Sequence, residues 1–200
     1  MAKGIMLTPE QQIERRCEIK NVALQLFKEK GFQKTSMREI SEVVGMGKSS
    51  LYDFFDSKDE IIVFAYEEAM RTIIEKTKEI VASEPSLEQC LRNIMRNNLV
   101  YTKENNHFIG WLNTEASYLN EAYQKRFNEI RYSYQDIVQS VIEKGTAEGL
   151  FRKTNPALAA RLLINAMLSI AYTSRPSGTL EEMLEEAVNI FLYGITDTIQ

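Results

Sequence analysis

Gly47, Lys48, Ser49 and Ser50 stand in an unbroken row, and an aromatic hydroxyl follows at Tyr52. Small side chains let a backbone come close to another surface. An ammonium reaches phosphate oxygens or the acceptor edge of guanine, and two hydroxyls can donate to bases or to backbone oxygens. This is the chemistry of nucleic-acid recognition. Bond-making chemistry would need a nucleophile with a base, paired carboxylates near an elbow, or a phosphate-cradling glycine loop, and none of these is visible, so no enzyme is expected. His107 is the only histidine and has no Cys, Asp or second His at ligand spacing. No metal and no cofactor are therefore expected. Cys17 and Cys90 fall in apolar helical patterns and read as reduced, hydrophobe-like thiols of an intracellular protein.

A row of this kind needs a helix to present it, and the flanking sequence supplies one from about Gly47 to Phe54. A helix of about two turns fits a major groove about 12 Å wide with its N-terminal residues facing base edges. Ser36-Met37-Arg38-Glu39 is a capping box that opens another short helix, ended by the Val44-Gly45-Met46-Gly47 turn. Thr8-Pro9-Glu10-Gln11 starts an earlier helix that runs to about Lys30, with Ile13, Cys17, Leu24 and Phe27 as its buried stripe. Ser57-Lys58-Asp59-Glu60 starts a long helix reaching about Ser83. Two short helices across a tight glycine turn, with a helix on either side, make a helix-turn-helix. Thr35, Ser36 and Lys58 sit at helix N-termini, where free N–H groups and the dipole attract phosphate, so they are expected to clamp the strand beside the groove.

Downstream, helix starts recur at Ser86, Asn155-Pro156 and Thr179, and stops at Gly149 and Arg175-Pro176-Ser177-Gly178. Tyr123, Phe127, Ile130, Tyr134, Ile137 and Val141 keep helical spacing, predicting one amphipathic helix from about Asn120 to Glu148. Hairpin signals are missing, so the chain reads as all-α with about nine helices. Phe108, Trp111, Tyr118, Phe127, Tyr134 and Tyr172, with Asn98 and Asn165 on apolar helix faces, suggest a cavity holding a few polar groups. Leu180, Leu184, Ala187, Phe191 and Ile195 form a stripe on the last helix.

The net charge of −4 argues at first against a nucleic-acid partner. Residues 1–60, however, carry ten Lys/Arg and ten Asp/Glu, while 61–200 carry fourteen and eighteen, so the excess negative charge lies in the larger part. No run approaches the roughly 18 apolar residues of a membrane span, and no signal peptide is apparent, so a cytoplasmic protein without membrane contact is expected.

Over Thr35 to Lys58 the sequence resembles the TetR family of bacterial regulators. A first helix ends in Gly31-Phe32; Thr35-Ser36 leads into Arg38-Glu39-Ile40; Lys48, Leu51, Tyr52 and Phe55 match a Lys-x-x-Leu-Tyr-x-x-Phe recognition segment; and Lys58 stands at the next helix start. The resemblance implies a three-helix DNA-binding domain over residues 1–57 and a larger helical domain over 58–200 that binds a small-molecule effector and dimerises. It also implies a repressor that holds a palindromic double-stranded operator as a homodimer until the effector releases it. The last two long helices would form the dimer bundle, with Leu180, Leu184, Phe191 and Ile195 as contacts. Asp53 and Phe54 depart from the family, which often has an aromatic and a His there. A carboxylate beside phosphates is repelled unless it contacts cytosine or pairs with a cation. The competing reading is a helical interaction protein, or an activator, with weakened DNA binding.

Overall fold

The structure, a computed structural model, describes residues 7–195; the side chains at 106–109, 113 and 194–195 lie outside that description. Among the described residues there are nine α-helices and no strand: α1 Pro9–Lys30, α2 Met37–Val44, α3 Lys48–Tyr52, α4 Lys58–Ser83, α5 Leu87–Glu104, α6 Asn106–Glu115, α7 Glu121–Ala147, α8 Pro156–Ala171 and α9 Leu180–Ile195. A short 3-10 turn over Ala116–Tyr118 precedes α7. No described helix is long and apolar enough to cross a membrane.

The local start signals act as their chemistry requires. The Thr8 hydroxyl accepts from the Gln11 backbone N–H while the Gln11 side chain accepts from the Thr8 N–H, and Ser36 and Glu39 make the same reciprocal pair at α2. Ser57 caps α4 by accepting from Glu60 N–H at 3.2 Å, but the Glu60 carboxylate turns elsewhere, to Asp56 N–H and Arg16. Helix α6 carries no such box, and no Gly or Pro stops α5 before it, so the sequence does not separate the two.

Packing divides the chain into two units. The first comprises the described residues up to Glu67 together with Leu112–Phe127, and the second comprises Glu68–Trp111 and the described residues from Asn128 onward. In the first unit the core holds Ile19, Ala23, Leu26, Phe27, Phe32, Ile40, Leu51, Phe55, Ile61 and Ile62. Phe27 and Phe32 meet edge to face at 5.1 Å, and the Arg16 guanidinium lies 4.4 Å from the Phe55 ring and 4.6 Å from that of Phe64. The stripe of α1 thus starts later than its sequence suggests, because Ile13, in the helix's second turn, is exposed.

In the second unit α5 packs on α8 and α9, which pack on each other. The core comprises Leu91, Ile94, Met95 and Leu99 of α5 with Val138, Ile142, Ala160, Leu163, Met167, Leu184 and Val188. Arg92 pairs with Glu185, and Arg96 pairs with Glu181 and Glu185, along the α5–α9 seam. After α7 the chain reverses at Gly149, whose φ of 76° suits a residue without Cβ, and the N–H groups of Leu150 and Phe151 both donate to Gly145 O. The buried Phe151 ring then lies flat on Gly145, where an added Cβ would stand 2.2 Å from two ring carbons. Gly145→Ala is accordingly expected to cost about 1–3 kcal/mol by overpacking. Thermal unfolding checks this, and part of the loss should return in the Gly145→Ala/Phe151→Leu double variant.

Candidate nucleic-acid interface

The reading surface begins at Gly45, which ends α2 in the left-handed conformation with φ 72° while Met46 N–H donates to Ser41 O at 2.9 Å. This turn delivers Gly47 as the N-cap of α3, with no side chain to cover the helix's free N–H groups. Leu51 is fully buried beneath, whereas Gly47, Lys48, Ser49, Ser50 and Tyr52 are exposed. The Lys48 ammonium stands 5.9 Å from the Tyr52 ring centre, so cation and phenol occupy one outward patch. The helix is shorter than the sequence suggests, because Leu51 O already receives the N–H groups of both Phe54 and Phe55. Asp53 is exposed at its C-cap and forms no ion pair among the described residues, so its carboxylate faces solvent beside the patch.

The three residues expected to clamp phosphate fare differently. Ser36 is exposed at the α2 N-cap, its hydroxyl shared with Glu39. The Glu39 carboxyl is held down at about 2 by Ser36 N–H first, then by Lys30 and the Ser36 hydroxyl, so it stays ionised through neutral pH. Thr35 is buried, and its hydroxyl donates to Gly31 O at 2.9 Å, so its side chain holds the end of α1 instead of facing outward. Lys58 also departs from expectation. Its ammonium donates to Phe32 O at 2.7 Å and lies 4.5 Å from the Phe32 ring, and burial lowers its pKa. Lys34, in the loop before α2, is exposed.

The residues expected to line a cavity do not share one environment. Asn98 and Tyr134 are buried together in the second unit, with Asn98 Nδ2 donating to the Tyr134 hydroxyl at 3.0 Å. Desolvation pushes the Tyr134 phenol up to about 12, and Asn98 Oδ1 is buried without a partner among the described residues. Trp111 is partly buried in the same unit, and Tyr172 is 41% exposed at the α8 C-cap. Phe127 belongs to the first unit, stacked on Tyr66 at 3.8 Å, and Tyr118, also there, is 62% exposed. Asn165 is exposed because it shares an α8 face with Leu158, Leu162 and Ser169, which turns away from α5. Phe108 and His107 lie outside the described side chains.

On the last helix the residues expected at the dimer contact divide: Leu184 faces the chain's own core, and Leu180 and Phe191 are only partly covered. Val188 and Leu192 are buried within the chain as well, and Ile195 lies outside the described side chains. The outward apolar residues are Ile190 at 64% and Tyr193 at 77% exposure on α9, with Leu158 and Leu162 on α8. Ala159, Ala160 and Ala171 of α8 are buried within their own chain. A stripe at three-and-four spacing marks a buried face correctly, but in a helix apolar on two sides it does not say which face meets the chain's own core. The signal for the second face was Leu158 and Leu162 beside the inward set of α8.

The profile described as bacterial regulatory proteins, tetR family, matches residues 19–63, and that of the tetracyclin repressor-like C-terminal domain matches residues 83–195. The HTH-type transcriptional repressor KstR2 of Rhodococcus jostii (strain RHA1) is 26% identical over 186 residues, covering 90% of this chain and 91% of that protein. Among solved structures, the transcriptional regulator FadR from Bacillus subtilis in complex with stearoyl-CoA has a TM-score of 0.75 at 17% identity, covering 90% of this chain and 98% of that one. AibR in complex with isovaleryl coenzyme A and operator DNA has a TM-score of 0.70 at 22% identity, covering 88% and 97%. At these identities the structural likeness speaks for the fold. The relatives are transcriptional regulators and not enzymes. With both profiles in chain order and the second spanning more than half of it, this chain belongs to the TetR family of bacterial regulatory proteins.

Proposed function

We propose that the protein is a cytoplasmic repressor that binds a palindromic operator as a homodimer and is released by a small-molecule effector. Residues 1–57 hold the DNA and residues 58–200 bind the effector and dimerise. The observation that carries this reading is the exposed patch of Gly47, Lys48, Ser49, Ser50 and Tyr52 over a buried Leu51. A helix anchored by one side and polar on the other is what base-edge readout requires. Ser36 and Lys34 contact phosphate beside it, while Thr35 and Lys58 hold the frame from within. Two copies meet through Leu158, Leu162, Ile190 and Tyr193, an outward apolar face of the kind that marks an interface.

The effector class is an acyl-CoA thioester, since two proteins of this fold were solved with stearoyl-CoA and isovaleryl-CoA. Asn98 and Tyr134 supply its polar contact, a reading supported by the unpartnered Asn98 oxygen. A ligand releases DNA only by favouring the non-binding state, with a coupling typically of about 1–3 kcal/mol.

Selection from a randomised duplex pool is expected to return a two-fold symmetric site. On that site Lys48→Ala and Tyr52→Ala should each weaken binding by about 1–3 kcal/mol at unchanged helicity and mass, as measured by gel shift and circular dichroism. Unchanged affinity in both variants would sink the assignment. Stearoyl-CoA and isovaleryl-CoA serve as release probes; if neither loosens the complex, the thioester reading fails and the DNA reading stands.

A further inference from the structure

Three consecutive residues at the start of α4 reach three different elements. Lys58 donates to Phe32 O in the loop between α1 and α2, and Glu60 takes Arg16 of α1 at 2.8 Å and the backbone N–H of Asp56 at 2.7 Å. Asp59, between them, accepts from both the backbone N–H and the side-chain Nδ2 of Asn120, each at 2.9 Å. Asn120 is in turn the cap of α7, its Oδ1 accepting from Tyr123 N–H at 3.2 Å. Two turns further, Glu67 pairs with Arg126 at 2.8 Å and Tyr66 stacks on Phe127, so α4 and α7 run side by side in one direction over this stretch. Residues 112–127 accordingly pack as part of the first unit, although α7 itself continues into the second.

We propose that Asp59 is a positioning residue that ties the operator-reading helices to the first turn of α7, so that the start of α7 moves with the reading head. The carboxylate sits at the N-terminus of α7, where the helix dipole and two donors favour it. Any reorientation of α4 that follows DNA binding pulls on Asn120, and any shift of α7 pulls on α4. The link holds the reading head in register without touching DNA. This inference rests on the DNA-binding reading above and is independent of the effector class.

The test is amide hydrogen exchange of the full-length protein with and without the duplex selected from the random pool. In wild type, exchange over residues 120–127 should slow by about fivefold or more when the duplex binds, the lower end of ordinary coupling between sites. In Asp59→Ala the duplex should still slow exchange around α3, while the response at 120–127 disappears. Asp59→Asn keeps one acceptor oxygen and should restore part of it, and Asn120→Ser, which keeps the cap and loses Nδ2, should halve it. Should Asp59→Ala fail to fold, these two conservative variants carry the test by a graded response. A wild-type protein that binds the duplex with no change at 120–127, or an unchanged response in Asp59→Ala, overturns the link alone. If wild type selects no duplex, the DNA-binding reading fails and the link falls with it.

Discussion

Leu162→Glu is expected to turn the protein from twice the chain mass into a monomer and to weaken operator binding by about 100-fold or more. Leu162 is 56% exposed on α8, on the face that also carries Leu158. A carboxylate there is harmless to one chain in water, but between two chains it would be buried without a partner. Joining two reading heads raises avidity by about 10²–10⁴ over one head, and that factor disappears with the dimer. Sedimentation gives the mass and gel shift the affinity, while circular dichroism should show unchanged helicity. Leu184→Glu is the contrast: Leu184 is buried within its own chain, so that variant should unfold the second unit instead of dissociating it. A dimeric Leu162→Glu with normal operator binding would place the interface elsewhere.

Leu51→Ala should act on the other unit. Leu51 is fully buried and is the one buried residue of a five-residue helix, so α3 has no other anchor into the core. Truncating a buried Leu costs about 2–5 kcal/mol, which is a large part of the stability a small unit can have. Exchange protection should fall throughout α2 and α3, and operator binding should fall with it, while protection in α5 and α8 remains. Loss of binding with wild-type protection in α2 and α3 would contradict a purely structural Leu51 and make it a contact residue.

What was legible in the sequence was what is local. Capping at Thr8, Ser36, Asn155 and Thr179 involves residues three apart, and the structure begins a helix after each of them. The order of short helices around Gly45, and the outward row at Lys48, follow from the same short spacings. What was not legible depends on partners far along the chain. Lys58 has the composition of a phosphate contact, yet its acceptors are carbonyl groups twenty-five and twenty-six residues earlier, which no spacing reveals. Asn165 stands among apolar neighbours along the sequence and Tyr118 is one of a series of aromatics, but each is turned outward. The two-sided apolarity of α8 and α9 hid which face the chain needs for itself.

The run Lys58-Asp59-Glu60 fixes the length of the chain more strictly than its composition. An α-helix advances about 100° per residue, so three successive side chains fan out over most of a turn, and here each direction is taken by a different neighbour. Exchanging one of the three breaks one contact and leaves two. Inserting or deleting a single residue within the first turn of α4 would swing all three away together and turn Ile61 and Ile62 out of the core with them. Substitutions can therefore accumulate here one at a time, whereas changes of length cannot.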